Sequence, residues 1–208
     1  MTVALINASP KLSHSSSWAL IKNTVGFFPN KTNVKMLDMH TNTVSENTVS
    51  ELLAADAWVL FFPLYVDALP SHVLRCLMQL EERARGKTLK VYAVINCGFY
   101  EGEQTEVAFE IVENFCIRAG LEFCGGVGVG GGGMLSTTPV LEDMKHNKTA
   151  IIHELKRLAK SVVRGRNHGV KFKSVSIPRI MYKVGAEALW RINAVKYGNK
   201  LSDLGKRY

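Results

Sequence analysis

The sequence predicts an α/β domain in which a five-stranded parallel sheet is wrapped by helices on both faces. Three observations carry that prediction. Short apolar runs alternate five times with amphipathic stretches over residues 2–163, the pattern of a doubly wound sheet. The run DAWVLFFP at 56–63 is uninterrupted apolar material, as a central parallel strand covered on both faces requires. The loops rich in serine, proline and glycine follow strands one, three, four and five, at the end where such sheets bind ligands.

The first strand is TVALIN at 2–7, which gives way to a polar, serine-rich stretch. From Ser15, the spacing of Trp18, Ile21, Val25 and Phe28 predicts the apolar face of a helix. NVKMLDM at 33–39 is the second strand and TVSELLAA at 47–54 a short helix. After the central strand, residues 70–84 open with proline at a helix start and keep Val73, Leu74, Leu77 and Leu80 on one side. The fourth strand is 88–96, the fourth helix 104–120 with a glycine at its end, and the fifth strand the glycine-rich 121–130. A last core helix is predicted over 141–163, and 164–178 reads as a linker.

Composition narrows the class. With 208 residues, 47% of them hydrophobic and 21% charged, the chain has the material for one domain with an appendage. A boundary is expected at 163/164, with a basic extension over 164–208. No run is long enough to span a bilayer and the start lacks secretory-signal character, so a cytoplasmic protein is expected. Cys76, Cys97, Cys116 and Cys124 show no CxxC spacing and no paired histidines. They read as structural thiols and no metal site is expected; Cys97 differs in falling within a loop.

The chemistry collects in three loops. The first, from Asn7 to Ser17, holds Ser9, Ser13, Ser15, Ser16 and Ser17 with Lys11 between a strand and a helix start. Hydroxyls, a lysine and the unpaired N–H groups of a helix start make an anion site, whereas capping alone needs one serine. The second, Pro63-Leu64-Tyr65-Val66-Asp67-Ala68-Leu69-Pro70, sets an aromatic residue between two prolines, a stiff wall for a flat ring. The third, Asn96-Cys97-Gly98-Phe99-Tyr100-Glu101-Gly102, adds two aromatics and two glycines that let backbone N–H groups approach a ligand. Together they point to a planar cofactor with a phosphate tail. Asp67 and Glu101 are candidates for loop contacts, and no acid–base pair is evident.

These motifs, S-P-K-x-S-x-S-S-S at 9–17, P-L-Y-x-x-x-x-P at 63–70 and N-C-G-F-Y-E-G at 96–102, resemble the NAD(P)H-dependent FMN reductase branch of the flavodoxin-like superfamily. The resemblance spans about residues 2–160 and implies strand order 2-1-3-4-5. It implies FMN, with its phosphate at Ser9, Lys11, Ser15, Ser16 and Ser17 and its ring between 64–67 and 97–101. Backbone N–H groups of 97–100 would face the pyrimidine end of the ring, and one near Tyr65 or Val66 the central nitrogens. It further implies NADPH or NADH as reductant, a small acceptor (quinone, flavin, nitro or azo compound, or metal ion), and a dimer. The flavin would do the chemistry, so no catalytic side chain is named. The alternatives are a flavodoxin-type carrier without a nicotinamide site and an interaction protein of this fold without flavin.

Two segments stand apart. Residues 126–131 contain a literal GxGxxG, but after the fifth strand and without an acidic residue near 20 positions on. The better reading is a loop over 130–139 that borders the flavin. Residues 164–208 hold eleven Lys/Arg against Glu187 and Asp203, a net +9, while the first 163 residues carry −1. Ile180, Met181, Val184, Ala188 and Ile192 fall at helical spacing there. The expectation is a helix packed on the domain or on a second copy. Trp190, Ala194 and Gly198 resemble a W-x-x-x-A-x-x-x-G segment of some flavodoxin-like reductases. Contact with a membrane surface is the less favoured alternative, and nucleic acid is not expected as a partner.

Overall fold

In a computed structural model, residues 1–11, 15–137 and 149–205 are described. They form two compact units, Met1–Val175 and Ser176–Tyr208. The first unit is built on β1 (Thr2–Asn7), α1 (Ser16–Val25), β2 (Asn33–Asp38), α2 (Glu46–Leu53), β3 (Ala57–Pro63) and α3 (Ser71–Arg83). It continues with β4 (Lys90–Asn96), α4 (Glu106–Ala119), β5 (Glu122–Val129), α5 (Gly132–Thr137), α6 (Thr149–Val163) and β6 (Gly169–Lys173).

The sheet is parallel throughout, in the order β2-β1-β3-β4-β5-β6. The first five strands take the expected order. The sixth corrects the five-stranded expectation, because GVKFK within the supposed linker pairs with β5. Gly125 shows why it can: at φ 86, a Cβ there would run into the backbone of Gly169 on β6. Residues 130–139 also depart from a plain loop, since Gly132–Thr137 is helical. Positions 138, 139 and 141–148, the end of that loop and the start of the last predicted helix, lie outside the described residues.

The core forms as the apolar runs require. All of β3 from Ala57 to Phe62 is buried, and the Trp58 indole N–H donates to the Leu52 carbonyl at 2.8 Å, so its burial leaves no donor unpaired. Two predicted faces shift. Helix α1 buries Ser17, Leu20, Ile21 and Thr24 rather than the stripe through Trp18 and Val25. The stripe includes two polar side chains, of which Thr24 donates to the Leu20 carbonyl and Ser17 reaches across the sheet edge. Helix α3 buries His72, Val73, Cys76, Leu77 and Leu80 and leaves Leu74 45% exposed. All four cysteines are free and buried.

Register places the site. Asn7 pairs with Asp38 and Phe61, Pro63 with Asn96, and Asn96 with Val129. β1 and β2 therefore end together, β3, β4 and β5 end level two residues further on, and the chain leaves each one at the same edge of the sheet.

The second unit consists of α7 (Arg179–Lys196) and a short 3-10 turn (Leu201–Gly205). Helix α7 follows Pro178 and buries none of its residues. Among the described residues no helix is long and apolar enough to cross a membrane.

Candidate functional site

The β1–α1 connection is organised by side chains. The Asn7 amide donates to Asp38 Oδ1 at 3.0 Å, and its oxygen accepts from the Ser9 N–H at 3.4 Å. Ser9 Oγ then accepts from the Lys11 N–H at 3.2 Å, which turns the chain toward α1. Ser15 caps that helix: its Oγ accepts from the Trp18 N–H at 3.1 Å and its carbonyl from the Ala19 N–H at 3.0 Å. The N–H groups of Ser16 and Ser17 are the ones the helix itself does not use.

The serines then differ in what they can offer. Ser16 donates its hydroxyl proton to the Gly132 carbonyl at 2.6 Å, and Ser17 donates to Asn96 Oδ1 at 2.8 Å. A hydroxyl has one proton, so these two brace the first loop against the fourth and fifth strand ends. Ser9 and Ser15 accept from backbone N–H groups, which leaves their protons for a ligand. Ser13 lies outside the described residues.

After β3 the chain makes a two-residue turn. The Tyr65 N–H donates to the Ala68 carbonyl at 3.0 Å and the Ala68 N–H returns the bond at 3.1 Å. Val66 (φ 50) and Asp67 (φ 58) both sit in the left-handed region, the pattern of a type I′ turn, which favours Gly or Asn there. A β-branched residue at such φ is strained by about 1–2 kcal/mol. Val66 is 98% exposed at the tip. Of the two N–H groups expected near the central nitrogens, Tyr65 or Val66, this turn uses that of Tyr65.

The β4–α4 loop is locked to the strand beside it. Cys97 donates its N–H to the Val129 carbonyl at 2.9 Å, and the carbonyls of Phe99 and Cys97 accept from Gly131 at 2.6 Å and Gly132 at 2.7 Å. A side chain at Gly130 would strike the Tyr100 carbonyl, so this close approach needs glycine. The Cys97 thiol points into its own loop, donating to the Glu101 carbonyl at 3.3 Å, and burial pushes it up to about 11. It stays a thiol at neutral pH, and its N–H, expected to face a ligand, is used within the sheet.

These loops enclose a cleft of about 180 Å³. Ser9, Lys11, Ser15, Ser16 and Ser17 line it, together with Pro63, Leu64, Tyr65, Asn96 and Gly98. Val66, Asp67, Cys97, Phe99, Tyr100 and Glu101 do not line it. The first two form the turn beside Tyr65, and Phe99 is half-exposed in the loop that begins at the cleft. Gly132 and Gly133 do line the cleft and were not among the candidate residues. Their signal was the glycine run itself, read only as a bordering loop.

The cleft thus combines cationic, donor-rich residues at a helix start with apolar and aromatic residues of the loop after β3. Such a surface can hold an anionic group at one end and a flat apolar body at the other.

No protein-family model matches the chain, and no curated protein matches it in sequence. Solved structures do match in fold. An NADPH-quinone reductase from P. pentosaceus aligns over 78% of this chain and 97% of its own, at 18% identity and TM-score 0.56. A flavodoxin from Streptococcus pneumonia TIGR4 covers 79% of this chain and 99% of its own, at 14% identity and TM-score 0.53. An azoreductase from Bacillus anthracis str. Sterne covers 77% and 99%, at 16% identity and TM-score 0.53. At these identities the likeness is one of fold: the chain has a flavodoxin-like α/β fold with a sixth parallel strand.

Proposed function

We propose that this protein binds FMN in the cleft at the carboxyl ends of its strands and acts as an NAD(P)H-dependent flavin oxidoreductase. The observation that carries the reading is the pairing of donors and wall in one cleft. Lys11, Ser9, Ser15 and the α1 start line the cleft together with Leu64 and Tyr65. Solved structures of this fold include an NADPH-quinone reductase and an azoreductase, which is the kind of activity the cleft would serve.

The residues present fit such a cofactor. Its phosphate would meet the Lys11 ammonium, the two free serine protons and the N–H groups of Ser16 and Ser17, where the helix dipole favours negative charge. The Ser16 and Ser17 hydroxyls would hold those N–H groups in place through Gly132 and Asn96. About 180 Å³ is less than the ~300–1,000 Å³ of pockets that bury a whole small molecule. The enclosed part therefore suits the phosphate-bearing tail, and the ring would lie at the mouth against Tyr65, which is 45% exposed. When bound, the flavin supplies the hydride chemistry, with a nicotinamide as donor and a quinone, flavin, nitro or azo compound, or metal ion as acceptor. The protein's part is to anchor, orient and leave one face open. The net charge of +8 argues against the carrier alternative, whose members are usually acidic.

Titration of FMN fluorescence with the protein tests the site. The account expects quenching with saturable binding, weakened about tenfold or more by Lys11→Ala, the loss of one charge-assisted contact. Equal affinity in the variant would remove Lys11 from the phosphate site, and no quenching would end the FMN reading.

A further inference from the structure

The Ser176–Tyr208 unit carries an apolar surface that it cannot cover itself. At 100° per residue, Val184, Val195, Ala188, Met181 and Ile192 of α7 fall within a sector of about 80°, and Ile180 lies about 40° further round, beyond Arg191 at the edge of the stripe. Ile180, Met181, Val184 and Ile192 are each more than 60% exposed. The 3-10 turn meets the helix at the edge of this stripe, where Leu201 and Leu204 share a hollow with Glu187, Trp190 and Arg191, and Trp190 stands well round from it. Lys183 and Lys196 flank the stripe on its two sides, where long basic side chains can reach past an apolar layer to charged groups above it.

Charge discriminates between the surfaces that could cover this stripe. Residues 176–208 carry net +5 and residues 1–175 net +3, so both the rest of the chain and a second copy present like charge. A nucleic acid has the opposite charge but presents phosphates outward, with its apolar base faces stacked inside and exposed only at an unstacking cost. An anionic lipid surface supplies both a negative layer for the lysines and acyl chains for the stripe. We propose that α7 is an interfacial arm that docks this protein on anionic membrane surfaces, lying in the headgroup layer with Val184 and Ile192 inward. The arm does not depend on what the cleft binds.

Flotation of the full chain with lipid vesicles tests this, using phosphatidylcholine alone and phosphatidylcholine mixed with phosphatidylglycerol. The protein is expected to float with the mixed vesicles and to stay behind with the neutral ones. The pair Val184→Asp with Ile192→Asp, and separately Lys183→Glu with Lys196→Glu, should each lower the bound fraction about tenfold. Light scattering and the thermal transition should be unchanged in both variants. Flotation with neither vesicle, or equally with both, overturns the proposal. So does wild-type binding by the variants, or retention on duplex DNA without flotation. A dimer that the aspartate pair splits assigns the stripe to a second copy, and a lowered thermal transition in that pair assigns it to residues 1–175; either result also overturns the proposal.

Discussion

The hydroxyl protons of the first loop divide its serines into two kinds. Those of Ser9 and Ser15 remain available because both oxygens accept from backbone N–H groups, and those of Ser16 and Ser17 are committed to Gly132 and Asn96. Ser9→Ala and Ser15→Ala should therefore each weaken FMN binding about tenfold, and Ser16→Ala by less than about threefold. Ser15→Ala should also cost about 1 kcal/mol of stability through the lost cap. Fluorescence titration and urea unfolding read the two effects, and equal losses at all three positions would contradict the division. The turn after β3 gives a second prediction. Val66→Asn, which tolerates φ 50, should raise stability by about 1 kcal/mol, and a loss instead would mean that the strained valine is held by contacts this account lacks. The sequence marked all five serines and the two-proline loop, but nothing in it distinguished a hydroxyl that braces from one that is free. That depends on which strand ends lie opposite, as Asn96 does to Ser17.

Among the elements, β6 is the one the sequence hid. GVKFK alternates over only five residues and follows RGRNH, so its apolar content is too thin to outweigh a linker reading. Its place is fixed by long-range ties: the Tyr92 hydroxyl donates to the Arg166 carbonyl at 3.0 Å, and the His168 N–H to that of Cys124 at 2.8 Å. Glu154 on α6 is buried 3.5 Å from Lys173 Nζ and 3.2 Å from His168 Nε2, the latter out of line for a hydrogen bond. Burial holds the His168 imidazole below its ordinary range despite that carboxylate, and burial does the same to His72. Below about pH 6.5 the unfolded chain then binds protons that the folded chain refuses. Stability should be full above that pH and fall as pH drops toward the folded-state values. Thermal unfolding from pH 7.5 to 5 checks this; His168→Asn should flatten the decline, and a transition that rises on acidification would contradict the sign. The buried stripe of α1 was hidden for a related reason: Ser17 and Thr24 are polar yet buried, so an apolar periodicity passes over them.

For the whole molecule, the alternation of apolar runs was enough to give the layers, the parallel sheet and the ends of strands that carry the loops. β3 was legible because it is buried on both faces, and the first five strands follow from it. The meeting of Lys11 and Tyr65 in one cleft was legible only through that topology, since 54 positions of chain separate them. The charge asymmetry was equally plain in the sequence, and so was the helix within it, but the sixth strand was not, because its five basic-flanked residues are too few to stand out. The central claim is a flavin that a nicotinamide reduces in this cleft. The direct measurement is an anaerobic titration of the FMN-loaded protein with NADPH and with NADH, following flavin absorbance. The account predicts bleaching at stoichiometric amounts of at least one of them, with colour restored by a quinone. Bound FMN that neither nicotinamide bleaches would contradict it.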